Sequence, residues 1–178
     1  MEIATLAGGC FWCTEAIFQR LKGVTSVTPG YTGGHINNPS YEEVSKGNTG
    51  HAEAIQITFD PRIISYSQLL DIFWQLHDPT TLNRQGSDVG SQYRSAIFHH
   101  DENQKKVALA AKTQLEKSAM YKNPIVTEIV PFKKFYKAEK YHKDYYNQNK
   151  GNTYCRIVID PKIQKLYKEF KKVTKNET

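Results

Sequence analysis

The sequence predicts an α+β fold with helices packed on a sheet, on three observations. Short runs with strand alternation, such as His51–Phe59, are interspersed with helical stretches along one chain. No internal repeat, low-complexity tract or Pro/Gly/Ser linker divides the 178 residues, a length that suits one domain over 1–178. Hydrophobic residues at 39% and charged residues at 24% supply a core and argue against disorder.

Each element has a local reason. Glu2–Leu6 reads as a short strand running into Gly8-Gly9, and a helix follows from Phe11 to about Leu21, stopped by Gly23. Val24–Val27 is strand-like, and residues 29–34, rich in Pro and Gly, read as loop. Ser40-Tyr41-Glu42-Glu43 has the pattern of a capping box opening a brief helical turn. His51–Phe59 alternates most cleanly, with His51, Glu53, Ile55, Ile57 and Phe59 on one face, and Asp60-Pro61 ends it. A helix is expected over Ser67–Leu76, then a long loop over 77–92 and a strand at Tyr93–His99. Asp101 starts a helix reaching about Lys117, and Ile125–Val130 is a further strand. Lysine- and tyrosine-rich loops and short helices come next. Asp160-Pro161 supplies an N-cap and first-turn proline for a last helix to about Lys172.

Composition removes several classes. No stretch reaches the roughly 18 apolar residues of a membrane span, and the first residues lack the basic start and apolar run of a secretory signal. Three cysteines are too few for a disulfide scaffold and point to a reducing, cytoplasmic setting with the thiols kept for chemistry, packing or metal. The formal charge of +6 is uneven, with ten Lys/Arg against twelve Asp/Glu in residues 1–120 and fourteen against six afterwards. That basic, tyrosine-rich third could track a nucleic-acid backbone, but it lacks any finger, RNP-like or phosphate-loop pattern. A solvated lysine surface over half-buried tyrosines is the simpler reading.

Three features could carry chemistry. In Gly8-Gly9-Cys10-Phe11-Trp12-Cys13, two glycines permit a sharp strand-to-helix turn and leave Cys10 at a helix start. Unpaired N–H groups there favour an anion, and thiols so placed can drop from about 8.5 into the range 3.5–7.5. Phe11 and Trp12 would wall the site with apolar surface. Cys10 and Cys13 could equally be small core residues. Second, strand alternation puts Glu53 on the core-facing side, where lost hydration raises a carboxyl's pKa and suits it to donate a proton. A frayed, exposed strand start is the other reading. Third, Tyr41, Asp88, Gln92 and Tyr93 fall on loops or element ends, where phenols could donate to a developing oxyanion or merely pack. A zinc site from Cys10, Cys13, Cys155 and His142 lacks a second close ligand pair.

Together these blocks resemble the methionine sulfoxide reductase A family. Gly9-Cys10-Phe11-Trp12 is similar to its signature. Pro29-Gly30-Tyr31, Pro39-Ser40-Tyr41-Glu42-Glu43-Val44, Gly50-His51-Ala52-Glu53 and Asp78-Pro79-Thr80 follow in the family's order. Asp88-Val89-Gly90-Ser91-Gln92-Tyr93-Arg94-Ser95, then Tyr141-His142-Lys143-Asp144-Tyr145 and Tyr154-Cys155, complete it. The resemblance covers most of the chain. It implies a two-layer sandwich with a ferredoxin-like split βαβ core and a loop-rich C-terminal segment. It implies that Cys10 attacks the sulfoxide sulfur and Glu53 protonates its oxygen. Tyr41 and Tyr93 would hydrogen-bond that oxygen, Asp88 would act through water or the polar network, and Phe11 and Trp12 would hold the methyl group.

The residue types suit such a reaction. Sulfoxide oxygen leaves badly unless its charge is neutralised, which an acid and two phenols can do. The thiol becomes sulfenic acid and a second thiol condenses with it, after which thioredoxin or another dithiol reopens the disulfide. The resemblance requires no metal, flavin or nicotinamide and implies a monomer with no nucleic-acid or membrane partner. The S epimer, in oxidised proteins and as the free amino acid, is the implied substrate. Many relatives have glycine where this chain has Cys13. Cys155, after Gly151-Asn152 on a segment expected to be flexible, is the implied first resolver, with Cys13 accepting the disulfide afterwards. Direct attack by Cys13, one helical turn from Cys10, stays open. A thioredoxin-like thiol–disulfide oxidoreductase, suggested by Cys10-x-x-Cys13 at a helix start, is the alternative function.

Overall fold

The computed structural model describes residues 1–176. Its centre is a six-stranded sheet in the order β7-β6-β1-β3-β2-β8. The strands are β1 (Glu2–Gly8), β2 (Val24–Thr32), β3 (Ala52–Phe59), β6 (Ser95–His99), β7 (Glu128–Pro131) and β8 (Phe135–Lys137). A two-residue pair, β4 (Arg84–Gln85) and β5 (Asp88–Val89), stands apart. All neighbours in the main sheet are antiparallel except β6 and β7. The helices are α1 (Phe11–Phe18), α2 (Tyr41–Ser45), α3 (Tyr66–Leu76), α4 (Glu102–Ser118), α5 (Tyr145–Gln148) and α6 (Asp160–Glu169). The mixed α+β class expected from the sequence is the one observed.

Alternation in β3 explains how the sheet is covered. Ile55, Ile57 and Phe59 enter the main core with Leu6, Phe11, Ile17, Leu69 and Phe73. The opposite face carries small residues: Ala52 and Ala54 join Ala7, Ala96 and Phe98 in a second cluster, roofed by Val130, Phe132 and Phe135. A strand buried on both faces cannot expose its carboxylate. Glu53 is accordingly only 2% exposed, and the frayed-start alternative falls away.

The helix starts follow local chemistry. Ser40 and Ser65 each close a capping box, with Glu43 and Gln68 respectively, so α3 begins one residue before the expected Ser67. Asp101 accepts from the Gln104 amide at 2.7 Å and opens α4. Asp160 differs from expectation. The chain enters α6 already helical from a π-helical turn over Cys155–Ile159, so Asp160 caps nothing. Its carboxylate accepts the Tyr146 hydroxyl instead.

Residues 29–32, expected as loop, belong to β2. Proline is tolerated because Pro29 lies beyond the residues paired to β8, and its carbonyl accepts from the Ala138 amide at 2.9 Å just past that strand. Gly30 is required there. A Cβ on it would lie 2.3 Å from the Phe135 ring and 2.4 Å from the Tyr136 carbonyl oxygen. No described helix is long and apolar enough to cross a membrane.

Candidate active site

The turn from β1 to α1 sets the first sulfur. Gly9 has φ +92°, and a Cβ there would fall 2.6 Å from the Gln85 side chain, so only glycine fits. Cys10 is the N-cap residue of α1, and its carbonyl accepts from the Cys13 amide at 3.1 Å. The third residue on, Cys13, returns to the same side of the helix. Cys10, Cys13 and Cys155 are all free, all buried, and packed in one cluster with Ala16, Tyr146 and Ile159. Cys155 is fully buried within the π-helical turn, where a flexible segment was expected.

Glu53 reaches this turn from β3. Its Oε1 accepts the Phe11 amide hydrogen at 3.1 Å, occupying one of the N–H groups that α1 leaves unpaired. Burial raises its pKa to about 8, against the lowering effect of that bond, with Asp88 and Cys13 raising it further. Burial thus favours the protonated form of Glu53. The phenols of Tyr41, at the start of α2, and Tyr93, ending a 3-10 turn over Ser91–Tyr93, are pushed up first by burial and then by Glu53. Cys10 adds to both.

The thiols depart from the expectation of a low-pKa Cys10. Burial pushes Cys10 well up, and Cys13 and Glu53 reinforce that. The first turn of a short helix does not offset the loss of water around a residue only 7% exposed. Cys13 instead goes down, to about 7, chiefly through its hydrogen bond with Cys10 and assisted by the Lys162 ammonium against its own burial.

Aromatic residues roof the site. Trp12 stacks on Tyr145, with centroids 3.8 Å apart and planes 7° from parallel, while Tyr154 meets its edge at 5.9 Å. The indole N–H donates to His142 Nδ1 at 2.9 Å. Phe11 is wholly buried, its ring 5.0 Å from His142 and 5.7 Å from Tyr31. A pocket of about 120 Å³ opens on Cys10 and Cys13 and is lined by Gln85, Asp88, Tyr154 and Lys162. Asp88 accepts the Tyr154 hydroxyl at 2.7 Å, and the same hydroxyl lies 3.7 Å from Cys13 Sγ.

The structure thus gathers Cys10, Cys13, Cys155, Glu53, Asp88, Tyr41, Tyr93, Phe11 and Trp12 around one helix start. Gln92 lies apart from it: buried, with its amide nitrogen 3.4 Å from the Ser45 carbonyl, it ties the 3-10 turn to the end of α2. Sequence reasoning weighed His142 only as a zinc ligand and gave no role to Tyr145, Tyr154, Lys162 or Glu139. Glu139 accepts the Tyr31 hydroxyl at 3.0 Å and the Tyr41 amide at 3.1 Å, thereby setting α2 over the site. His142, Tyr145 and Tyr154 did stand within recognisable blocks, which was the available signal. Among the described residues no group of His, Cys, Asp and Glu is arranged to hold a metal.

Residues 2–175 match the family described as Peptide methionine sulfoxide reductase. The chain belongs to this family. The relative named Peptide methionine sulfoxide reductase MsrA of Sulfolobus acidocaldarius is 59% identical over 170 residues, covering 96% of each chain. Reduced Mxr1 from Saccharomyces cerevisiae superposes with a TM-score of 0.81 at 36% identity, covering 86% of this chain and 88% of that one. Mxr1 solved in complex with Trx2 gives a TM-score of 0.57 at 27% identity, covering 81% and 84%. As a peptide methionine sulfoxide reductase, the protein is an oxidoreductase that returns methionine sulfoxide to methionine, and the thioredoxin-like alternative is set aside.

Proposed function

We propose that this reductase acts on the S epimer of methionine sulfoxide, in oxidised proteins and as the free amino acid, through Cys10. The observation that carries this reading is Glu53, buried and bonded to the amide next to Cys10, where burial favours its protonated form. Cys10 Sγ attacks the sulfoxide sulfur while Glu53 gives its proton to the departing oxygen, with Tyr41 and Tyr93 donating hydrogen bonds to it. The Cys10 proton passes to Cys13, its hydrogen-bonding neighbour. The protonated oxygen then passes from the substrate sulfur to Cys10 Sγ as the new bond between the two sulfurs breaks, so that methionine leaves and Cys10 holds a sulfenic acid. Phe11 and Trp12 supply the apolar surface for the methyl group, and Asp88 orders the polar side of the pocket.

A second thiol, from Cys13 or Cys155, then forms a disulfide with loss of water, and thioredoxin or another dithiol reopens it. The complex of Mxr1 with Trx2 supports that choice of reductant. The three free thiols fit a reducing cytoplasm. We read the chain as one domain over 1–178 that works as a monomer. The order β6-β1-β3-β2, with α1 between β1 and β2 and α3 between β3 and β6, supports a ferredoxin-like split βαβ core.

The deciding experiment is turnover of each sulfoxide epimer with a thioredoxin system, followed by mass mapping of the oxidised thiols. The S epimer should be consumed and Cys10 should appear in a disulfide. Turnover that persists after Cys10 is alkylated overturns the reading.

A further inference from the structure

The sulfoxide reduction just described leaves a proton on Cys13, and that thiol must lose it before it can act as a nucleophile. One group outside the reduction step touches it. The Tyr154 hydroxyl lies 3.7 Å from Cys13 Sγ and donates to Asp88 Oδ2 at 2.7 Å. A phenol carries a single proton. While that proton points to Asp88, the Tyr154 oxygen can only accept from Cys13, which keeps the thiol protonated. When Cys13 becomes a thiolate, the same hydroxyl can turn its proton towards sulfur. The three groups therefore form a short line from thiol to carboxylate along the wall of the pocket, with Cys13 itself only 2% exposed.

We propose that Tyr154 is a positioning residue that relays the Cys13 proton to Asp88, making Cys13, ahead of Cys155, the thiol that forms the first disulfide with Cys10. The proposal rests on the reductase reading above. In the step, Cys13 S–H gives its proton to the Tyr154 oxygen as Tyr154 gives its own to the Asp88 carboxylate. The thiolate then attacks Cys10 Sγ of the sulfenic acid, the Cys10 sulfur–oxygen bond breaks, and the oxygen leaves as water after taking the proton back from Asp88. No external oxidant or reductant enters, since the sulfenic acid supplies the oxidising equivalents. Cys155, fully buried in the π-helical turn that follows Tyr154, then receives the disulfide, and its movement would draw Tyr154 off Asp88.

The groups that bear on Cys13 come from five elements. Cys10 begins the same helix, Glu53 lies on β3 and Asp88 on β5, Tyr154 precedes the π-helical turn that Cys155 begins, and Lys162 projects from α6. Of these, only Tyr154 touches both Cys13 and a second proton acceptor.

The test is Tyr154→Phe, which keeps the ring against Trp12 and removes only the hydroxyl. Reduced enzyme is mixed with one equivalent of substrate, and methionine release, sulfenic acid and disulfide are followed separately. The expected result is a Cys10–Cys13 bond as the first disulfide in the unaltered protein. In Tyr154→Phe that bond should form at least about tenfold more slowly at neutral pH, in line with the loss of a general base, with sulfenic acid accumulating meanwhile. Raising the pH above that of Cys13 ionisation should restore the rate, a recovery that misfolding or loose packing would not give. A first disulfide between Cys10 and Cys155, or an unchanged rate of Cys10–Cys13 formation in Tyr154→Phe, overturns the proposal. Absence of methionine release in the unaltered protein is a different result, and it sinks the reductase reading instead.

Discussion

Two buried glutamates, one on either side of the start of α1, have opposite uses. Glu53 comes from the sheet and Glu15 from α1 itself, and burial raises both carboxyls, to about 8 and about 7 respectively. Glu15 is spoken for on the protein side: it accepts the Asp144 amide at 2.8 Å and faces the Lys143 ammonium at 3.8 Å. It thereby fastens the segment that sets Tyr145 on Trp12. Among the described residues, Glu53 accepts only the Phe11 amide, has no cation beside it, and meets Asp88 and Cys13 across the site. Desolvation alone does not distinguish a proton donor from an anchor. What differs is the company each carboxyl keeps: backbone and a lysine for one, two sulfurs and an acid for the other.

The comparison can be broken most sharply at the sulfur that Glu53 serves. Cys10→Ser should release no methionine under single-turnover conditions, because no other described thiol faces both Glu53 and the phenols; measurable release would shift the chemistry to Cys13. Next in size, Glu53→Gln should still bind substrate but lose about 10²–10⁴ in rate, the range for a missing general acid. Glu15→Gln should leave that rate within a few-fold, and equal losses in the two variants would erase the distinction.

The pH dependence should separate them further. Glu53 works in its protonated form, so the rate of methionine release should fall as pH rises through about 8, and Glu53→Gln should lack that limb. For Glu15 the readout is stability. Its folded pKa of about 7 lies above the ordinary 4.5, so the stability it contributes is complete below about 4.5 and is lost as pH rises through about 7. Denaturant unfolding of Glu15→Gln should match the unaltered protein near pH 5 and equal or exceed it near pH 8. The smallest effect, on the order of 1 kcal/mol, belongs to Glu15→Ala near pH 5, which leaves the Asp144 amide without its acceptor.

The sequence made the sheet half of the molecule readable and the C-terminal half much less so. Cys10 and Glu53 could be placed because a double glycine and a clean alternation are local signals, and the start of α2 carries a reciprocal cap read as Ser-x-x-Glu, whereas the Ser65–Gln68 cap of α3 went unread. The strand β8 and the pair β4/β5 were not visible, since two or three residues have no periodicity and exist through their partners. Pro29 and Gly30 misled for the same reason, because turn-like residues were placed in a strand by what lies across from them. The expected acidity of Cys10 failed on burial, which a helix-start argument does not contain. Tyr154 and His142 became legible only once contacts between residues 130 or more apart in sequence were known.

One last consequence belongs to the stretch Cys155–Ile159. A π-helical turn is an α-helix carrying one surplus residue. Excising a residue within it would regularise the spiral and swing everything upstream by roughly 100°, the angular step of a single α-helical residue. Cys155 would then face outward, away from its two sister sulfurs. The third thiol thus owes its inward aim to a winding irregularity, and shortening the chain there by one position would disarm it without touching any sulfur.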